Sequence, residues 1–187
     1  NVLDRHLGPD GSCVIIEPAL RETSREMAEV VCNLLAEGFT IYAPCPATAF
    51  RAVLENPRDW YHEDVPWDPP ALIREIDKLI GLRKDALKFS YAVLRKDGLS
   101  LTDVHGVDSC RIVSEPLVSK GKIEFYLCGA GGRQRVTRLD KDRTPQNASF
   151  EDLRRGDIVR FDRPIIEEKR LKVGKDTAVA LLNTCSL

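Results

Sequence analysis

The stretch LGPDGSCVIIEP, residues 7–18, decides how the chain is read. Gly8-Pro9-Asp10-Gly11 has the composition of a tight turn, since proline presets φ and glycine accepts a left-handed backbone. The run Cys13-Val14-Ile15-Ile16 that follows is continuously apolar, the pattern of a strand buried on both faces as in a parallel sheet. Thr23 and Glu26 then have capping-box spacing, and Met27, Val30, Val31, Leu34 and Leu35 recur at helical intervals. Gly38 stands where a left-handed C-cap residue belongs, and FTIYA (39–43) alternates as a second strand. Strand, helix and strand within about 30 residues is the βαβ unit of a doubly wound sheet.

Further along, residues 44–68 are rich in proline and aromatics, with Cys45, Trp60, Tyr61, His62 and Trp67, and show no clear periodicity. A structureless segment of that length reads as a functional or partner-binding loop. Asp68 is expected to cap a helix opened by Pro69 and Pro70, with Leu72, Ile73, Ile76, Leu79 and Ile80 on one face and Gly81 closing it. FSYAVLR (89–95) alternates again and ends at the Asp97-Gly98 turn. From residue 107 the texture changes to short alternating stretches near 110–114, 122–128, 133–139, 157–162, 168–173 and 176–182. GAGG (129–132) reads as a hairpin turn between two of them, and a short helix is expected from Ser149. This pattern predicts a closed or nearly closed small barrel of OB type. The expected organisation is an α/β unit over residues 1–106 and a β-barrel over 107–187, divided near HGVD (105–108).

Composition fits a folded globular protein: 43% hydrophobic and 30% charged residues with a formal net charge of -1. Nucleic-acid affinity must therefore come from local clustering of charge. No apolar run approaches the roughly 20 residues of a membrane span. The six cysteines, Cys13, Cys32, Cys45, Cys110, Cys128 and Cys185, form no C-x-x-C pair, and a reduced compartment is expected. The text begins at Asn1 in mid-motif, so a piece of a longer protein is expected.

The longer phrases are the specific ones. APCP (43–46), DWYHEDVPWDPP (59–70), LIGLRKDALKFSYAVLRKDG (79–98), VSEPLVSKGKIEFYLCGAGGRQRVTRLDKDR (113–143) and RRGDIV (154–159) together resemble the methyltransferase-like proteins associated with assembly of the mitochondrial small ribosomal subunit, and their bacterial relatives. LGPDGSCVIIEP itself resembles the stretch before the fifth strand of class I S-adenosylmethionine-dependent methyltransferases. The resemblance implies the C-terminal portion of a Rossmann-like methyltransferase sheet followed by a small β-domain. It implies an rRNA-binding assembly factor of the small ribosomal subunit, in the cytoplasm of a bacterium or the mitochondrial matrix of a eukaryote. The alternative is an active S-adenosylmethionine-dependent rRNA methyltransferase whose donor-binding half lies outside this chain; a third reading is a protein-interaction module. The donor site of that fold rests on earlier strands with a Gly-rich loop. GAGG opens no helix, so no catalytic or cofactor-binding residue is assigned, and S-adenosylmethionine would belong to the full-length protein.

The resemblance also implies an iron–sulfur cluster on four cysteines, because soft thiolates hold the iron. Cys45 and Cys128 match the first and last positions. The second falls in PATAFRAVLENP, which has no cysteine, and the third reads Trp60-Tyr61-His62. No cluster is therefore expected, zinc is poorly supported, and Tyr61 with the apolar loop residues is expected to fill the volume. Lys120, Lys122, Arg133, Arg135, Arg138, Lys141 and Arg143 are the candidate RNA-binding residues. Arg133 and Arg135 should share one face of a strand, with Arg138 on the other. Arg83, Lys84 and Lys88 extend the candidate surface, whereas His6, His62 and His105 are isolated. Glu17 is expected to order a loop near Arg21 or Arg25. An incomplete sheet would leave an apolar edge and helix face open to self-association.

Overall fold

The computed structural model describes residues 2–167 and 170–183, in which helices and strands form two sheets. After a short helix α1 (Val2–His6), the first sheet is built around its last strand, β4 (Ala86–Arg95). One edge of β4 pairs antiparallel with β1 (Ser12–Pro18), from Ser12 opposite Arg95 to Pro18 opposite Phe89. Its other edge takes β2 (Thr40–Ala43) against residues 93–95 and β3 (Glu63–Pro66) against residues 86–89. β1 and β2 thus run parallel, as a βαβ unit requires, but an antiparallel strand lies between them. This corrects the expectation of a strand buried on both faces. Cys13 and Ile15 pack on the core, while Val14 and Ile16 are 57% and 63% exposed.

Helix α2 (Arg21–Ala36) buries Met27, Ala28, Val31 and Leu34 against Ile41, Ala92 and Leu94. It starts earlier than its capping-box spacing suggests: Leu20 is the N-cap, and Thr23 Oγ1 donates to the Pro18 carbonyl at 2.6 Å. Gly38 takes the expected positive φ after the helix. The loop expected over residues 44–68 is instead α3 (Ala47–Glu55), a short connection and β3. Phe50 and Val53 of α3 enter the core, where Phe50 meets Tyr61 edge-on at 4.8 Å between ring centroids. Arg25 of α2 holds the end of that helix, donating to the carbonyls of Val53 (2.6 Å) and Asn56 (2.9 Å), a geometry that satisfies the open C-terminal acceptors. Arg25 is therefore engaged by carbonyls and not by Glu17.

Helix α4 (Ala71–Ile80) has Pro70 as its N-cap without a side-chain bond, and Asp68 pairs with Arg74 at 3.4 Å instead of capping. Gly81 closes it in the left-handed region, φ +69°. Its apolar stripe, Leu72, Ile76, Leu79 and Ile80, lies exposed, and its buried residue is Asp77, whose carboxylate accepts the Lys84 amide at 2.9 Å. Helix α5 (Leu101–His105), not anticipated from the sequence, is opened by a reciprocal capping box of Ser100 and Asp103.

The second sheet runs β10 (Ile165–Glu167), β11 (Arg170–Val173), β8 (Gly132–Leu139), β7 (Lys122–Gly129), β5 (Ser109–Ile112), β9 (Ile158–Asp162) and β12 (Ala178–Asn183), with β6 (Leu117–Ser119) on β7. It curls around Ile112, Phe125, Leu127, Val136, Phe150, Val159 and Val173. Among the described residues β12 and β10 do not pair, and the sheet is a curled half-barrel where a closed or nearly closed barrel was expected. Gly129 pairs with Gly132 across the expected hairpin turn, where Gly132 has φ +79°. The helix expected from Ser149 is a 3-10 segment, Pro145–Glu151, that begins earlier and brings Phe150 onto Phe125 edge-on at 5.2 Å.

Arg138 runs under this segment. It is 1% exposed, donates to the Asn147 carbonyl at 2.9 Å and to Glu151, and lies over the Phe150 ring at 5.4 Å. Removing one partner of a buried charge network leaves the others unsatisfied. Arg138→Met should lower unfolding stability in urea by about 2–3 kcal/mol. Arg143→Met removes the exposed partner of the same Glu151 (2.9 Å) and should stay within about 0.5 kcal/mol.

Candidate nucleic-acid interface

Alternation along the β7–β8 hairpin sends Phe125, Leu127 and Val136 into the half-barrel core and turns Glu124, Tyr126 and Cys128 outward. Their cross-strand partners are Thr137, Arg135 and Arg133 in turn. Arg133 and Arg135 therefore share a face, as expected, and both guanidinium groups lie over the Tyr126 ring, at 5.3 and 5.0 Å. Arg135 also donates to the Tyr126 hydroxyl at 2.5 Å, and Arg133 reaches Asp59 of the first unit at 3.5 Å. Stacking of this kind holds the guanidinium planes in place while leaving their outer edges for other acceptors.

The remaining candidates separate. Lys120 is exposed at the β6–β7 turn, and Lys122 pairs with Glu124 at 2.6 Å. Hydrogen bonds from Lys122 and then Thr137 hold the Glu124 carboxyl below its ordinary range, so this acid stays ionised on the face. Lys141 and Arg143 are exposed near the 3-10 segment. Arg138 is a correction: its side chain is buried on the inner side and is a structural group, unable to meet RNA. Arg83 and Lys88 have acidic neighbours of their own, Asp85 and Asp64, each at 3.2 Å. Arg170 was not among the expected residues. β11 pairs parallel to β8 with Arg170 opposite Arg135 and Lys172 opposite Thr137, which adds both to the same face. Only register between strands distant in sequence could reveal that.

At its Cys128–Arg133 end this face meets the first unit. A cleft of about 250 Å³ opens there, bounded by Cys45, Phe50, Trp60, His62, Tyr126 and Arg133 among others. Cys45 and Cys128 are brought together on the wall of this cleft, and the neighbouring Cys128 thiol together with burial drives the Cys45 thiol well above its ordinary range. Tyr61 is anchored through its backbone. Its carbonyl accepts Ser24 Oγ (2.8 Å) and Ser90 Oγ (2.7 Å), and its phenol is held neutral by burial. Trp60 and His62 stack at 4.5 Å with their planes 22° apart, and burial lowers the His62 pKa, keeping its ring neutral.

These residues do not fit a four-thiolate cluster. Cys110 lies on the opposite side of its strand pair, packed on the half-barrel core, and Cys13 and Cys32 belong to the first core. Cys185 lies outside the described residues. No group of three or more His, Cys, Asp or Glu side chains able to hold a metal ion is found among the described residues. Two neighbouring thiols, Cys45 and Cys128, supply half of the required ligands.

Fold and face together define a class: a mixed α/β unit joined to a curled β-sheet that carries stacked arginines on its outer side. The chain belongs to the family of the mitochondrial small ribosomal subunit protein Rsm22, which it matches over residues 2–160. No curated protein and no solved structure matches it. The family associates the chain with the small ribosomal subunit, and in a eukaryote with the mitochondrion. No helix among the described residues is long and apolar enough to cross a membrane.

Anaerobic reconstitution with iron and sulfide should leave the chain with far less than one cluster, by iron and acid-labile sulfide assay. Stoichiometric iron would overturn the two-thiol reading.

Proposed function

We propose that this chain is a methyltransferase-like assembly factor that binds small-subunit rRNA through the outer face of β7, β8 and β11, with the α/β unit as its scaffold. The observation that carries this reading is the strip of Arg133 and Arg135 stacked on Tyr126, with Arg170 beside Arg135 in register. Guanidinium groups pre-oriented on a ring suit bidentate phosphate contact, and adjacent strands set them at a spacing that can follow a backbone. Lys120 and Lys122 extend the strip at one end. Family membership supplies the ribosomal context.

The methyltransferase-like part of the reading is supported by the first sheet. Its strand, helix, strand, excursion and final strand follow the order in which that fold ends. S-adenosylmethionine, if the full-length protein uses it, is assigned to no residue of this chain. Among the described residues the outer edge of β1 is unpaired, and with the exposed Val14 and Ile16 of that strand it supports an association surface there. Sedimentation of the chain should show self-association that Val14→Lys with Ile16→Lys abolishes.

The RNA reading is tested by charge reversal. Arg133→Glu with Arg135→Glu should weaken binding to small-subunit rRNA and flatten the slope of log K against log salt by about 1.5. The same reversal at Arg21, exposed on α2, should change neither. Equal affinity and slope for the double variant would sink the proposal.

A further inference from the structure

The cleft at the end of the arginine strip is not used by phosphate contacts alone. We infer that it receives one unpaired nucleobase of the bound RNA, an inference that rests on the rRNA reading above and names what that face recognises.

Position is the first argument. Tyr126, Cys128 and Arg133 belong to the outer face of β7 and β8 and also bound the cleft, so the strip runs into it without a break. A strand of RNA whose phosphates follow Arg170, Arg135 and Arg133 would present its next base at the opening.

Size and lining are the second. At about 250 Å³ the cleft is smaller than the roughly 300–1,000 Å³ of pockets for drug-sized ligands. One base suits it; a dinucleotide or a complete methyl donor does not. Its walls offer the Trp60–His62 stack, with a neutral imidazole. A flat π-face in a mainly apolar recess is what an unstacked base seeks in place of its lost neighbours.

Charge is the third. The arginines sit at the lip: Arg133 is half-exposed and bridges to Asp59 at 3.5 Å. Among the other lining residues, Glu63 is held by Arg111 at 3.2 Å, and Arg155 donates to the His62 carbonyl at 2.9 Å while its Nε faces Glu115 at 3.6 Å. The Glu63 carboxylate, paired with Arg111 on one side, can accept an exocyclic amino group of a base. Arg133, half-exposed at the lip, is placed to hold the phosphate outside. The ring stack and the Glu63 acceptor thus suit a base inside the recess, with its phosphate at Arg133.

The test uses the 187-residue chain carrying Trp67→Phe, so that Trp60 is its sole tryptophan. The probes are a single-stranded RNA decamer of adenylates and the same decamer with every base removed. Quenching of Trp60 by the first and not the second is expected, with affinity for the first about tenfold higher at equal salt. Ala52→Phe, which fills the cleft from α3 and keeps Trp60, should reduce the two affinities to the same value and leave the salt slope unchanged. Trp60→Phe should retain most of the base preference, and circular dichroism should show all variants folded. Equal binding of both decamers with an ordinary salt slope would overturn the base pocket and leave the phosphate strip standing. Absence of any RNA binding would overturn both.

Discussion

The pair of Arg111 on β5 and Glu63 on β3 joins the two sheets. Its charged atoms are 3.2 Å apart and both side chains are close to buried, at 13% and 12% exposure. A pair so placed is a poor source of net stability, because desolvation offsets much of its attraction. Its consequence is positional: neither charge tolerates separation, so β3 cannot drift from β5 without leaving a buried ion alone. That fixes the approach of residues 56–63 to the half-barrel and sets every other contact of the junction. Arg155 to the His62 carbonyl, Arg133 to Asp59 and Cys45 to Cys128 all lie within reach only while that approach holds.

What the sequence made legible follows periodicity and turn chemistry. β2, β4, β7, β8, β9 and β12 stand where alternating stretches placed them, and the Gly129–Gly132 turn and the left-handed caps at Gly38 and Gly81 stand where glycine was required. Helix α3 escaped because it is short, begins directly after Pro46, and offers only Phe50, Val53 and Leu54 as a periodic signal. The Cys13–Ile16 run misled for a different reason. An apolar run says that a strand can be covered on both faces, not that it is, and here Val14 and Ile16 face outward. The same gap separates the apolar stripe of α4 from a core: periodicity reports the capacity to pack, and packing needs a partner.

The basic cluster divides along the same line. Alternation correctly separated Arg138 from Arg133 and Arg135, yet residue type alone counted all three as surface charge. Burial beneath Phe150 and Asn147 makes Arg138 an anchor for the 3-10 segment. Arg170 and Lys172 go the other way: unremarkable in the sequence, they join the face because β11 pairs parallel to β8, a contact across 35 residues of chain that no local pattern encodes.

The junction also shows how a loop can be held once a metal-binding pattern is incomplete. A cluster fixes its loop by several strong bonds to one centre. Here the same loop is fixed by many weak ones: two serine hydroxyls on the Tyr61 carbonyl, the Phe50–Tyr61 edge contact, the Arg25 clasp on α3 and the thiol pair beneath. Such bonds act at the backbone and along ring edges, so they can line the junction without occupying its centre. The cleft between Trp60 and Tyr126 is what this mode of closure leaves, and its aromatic walls follow from using rings in place of thiolates. A four-thiolate site would need cysteines at two further places, within residues 46–57 and at Tyr61, so rings and not sulfur stand at the wall of this recess.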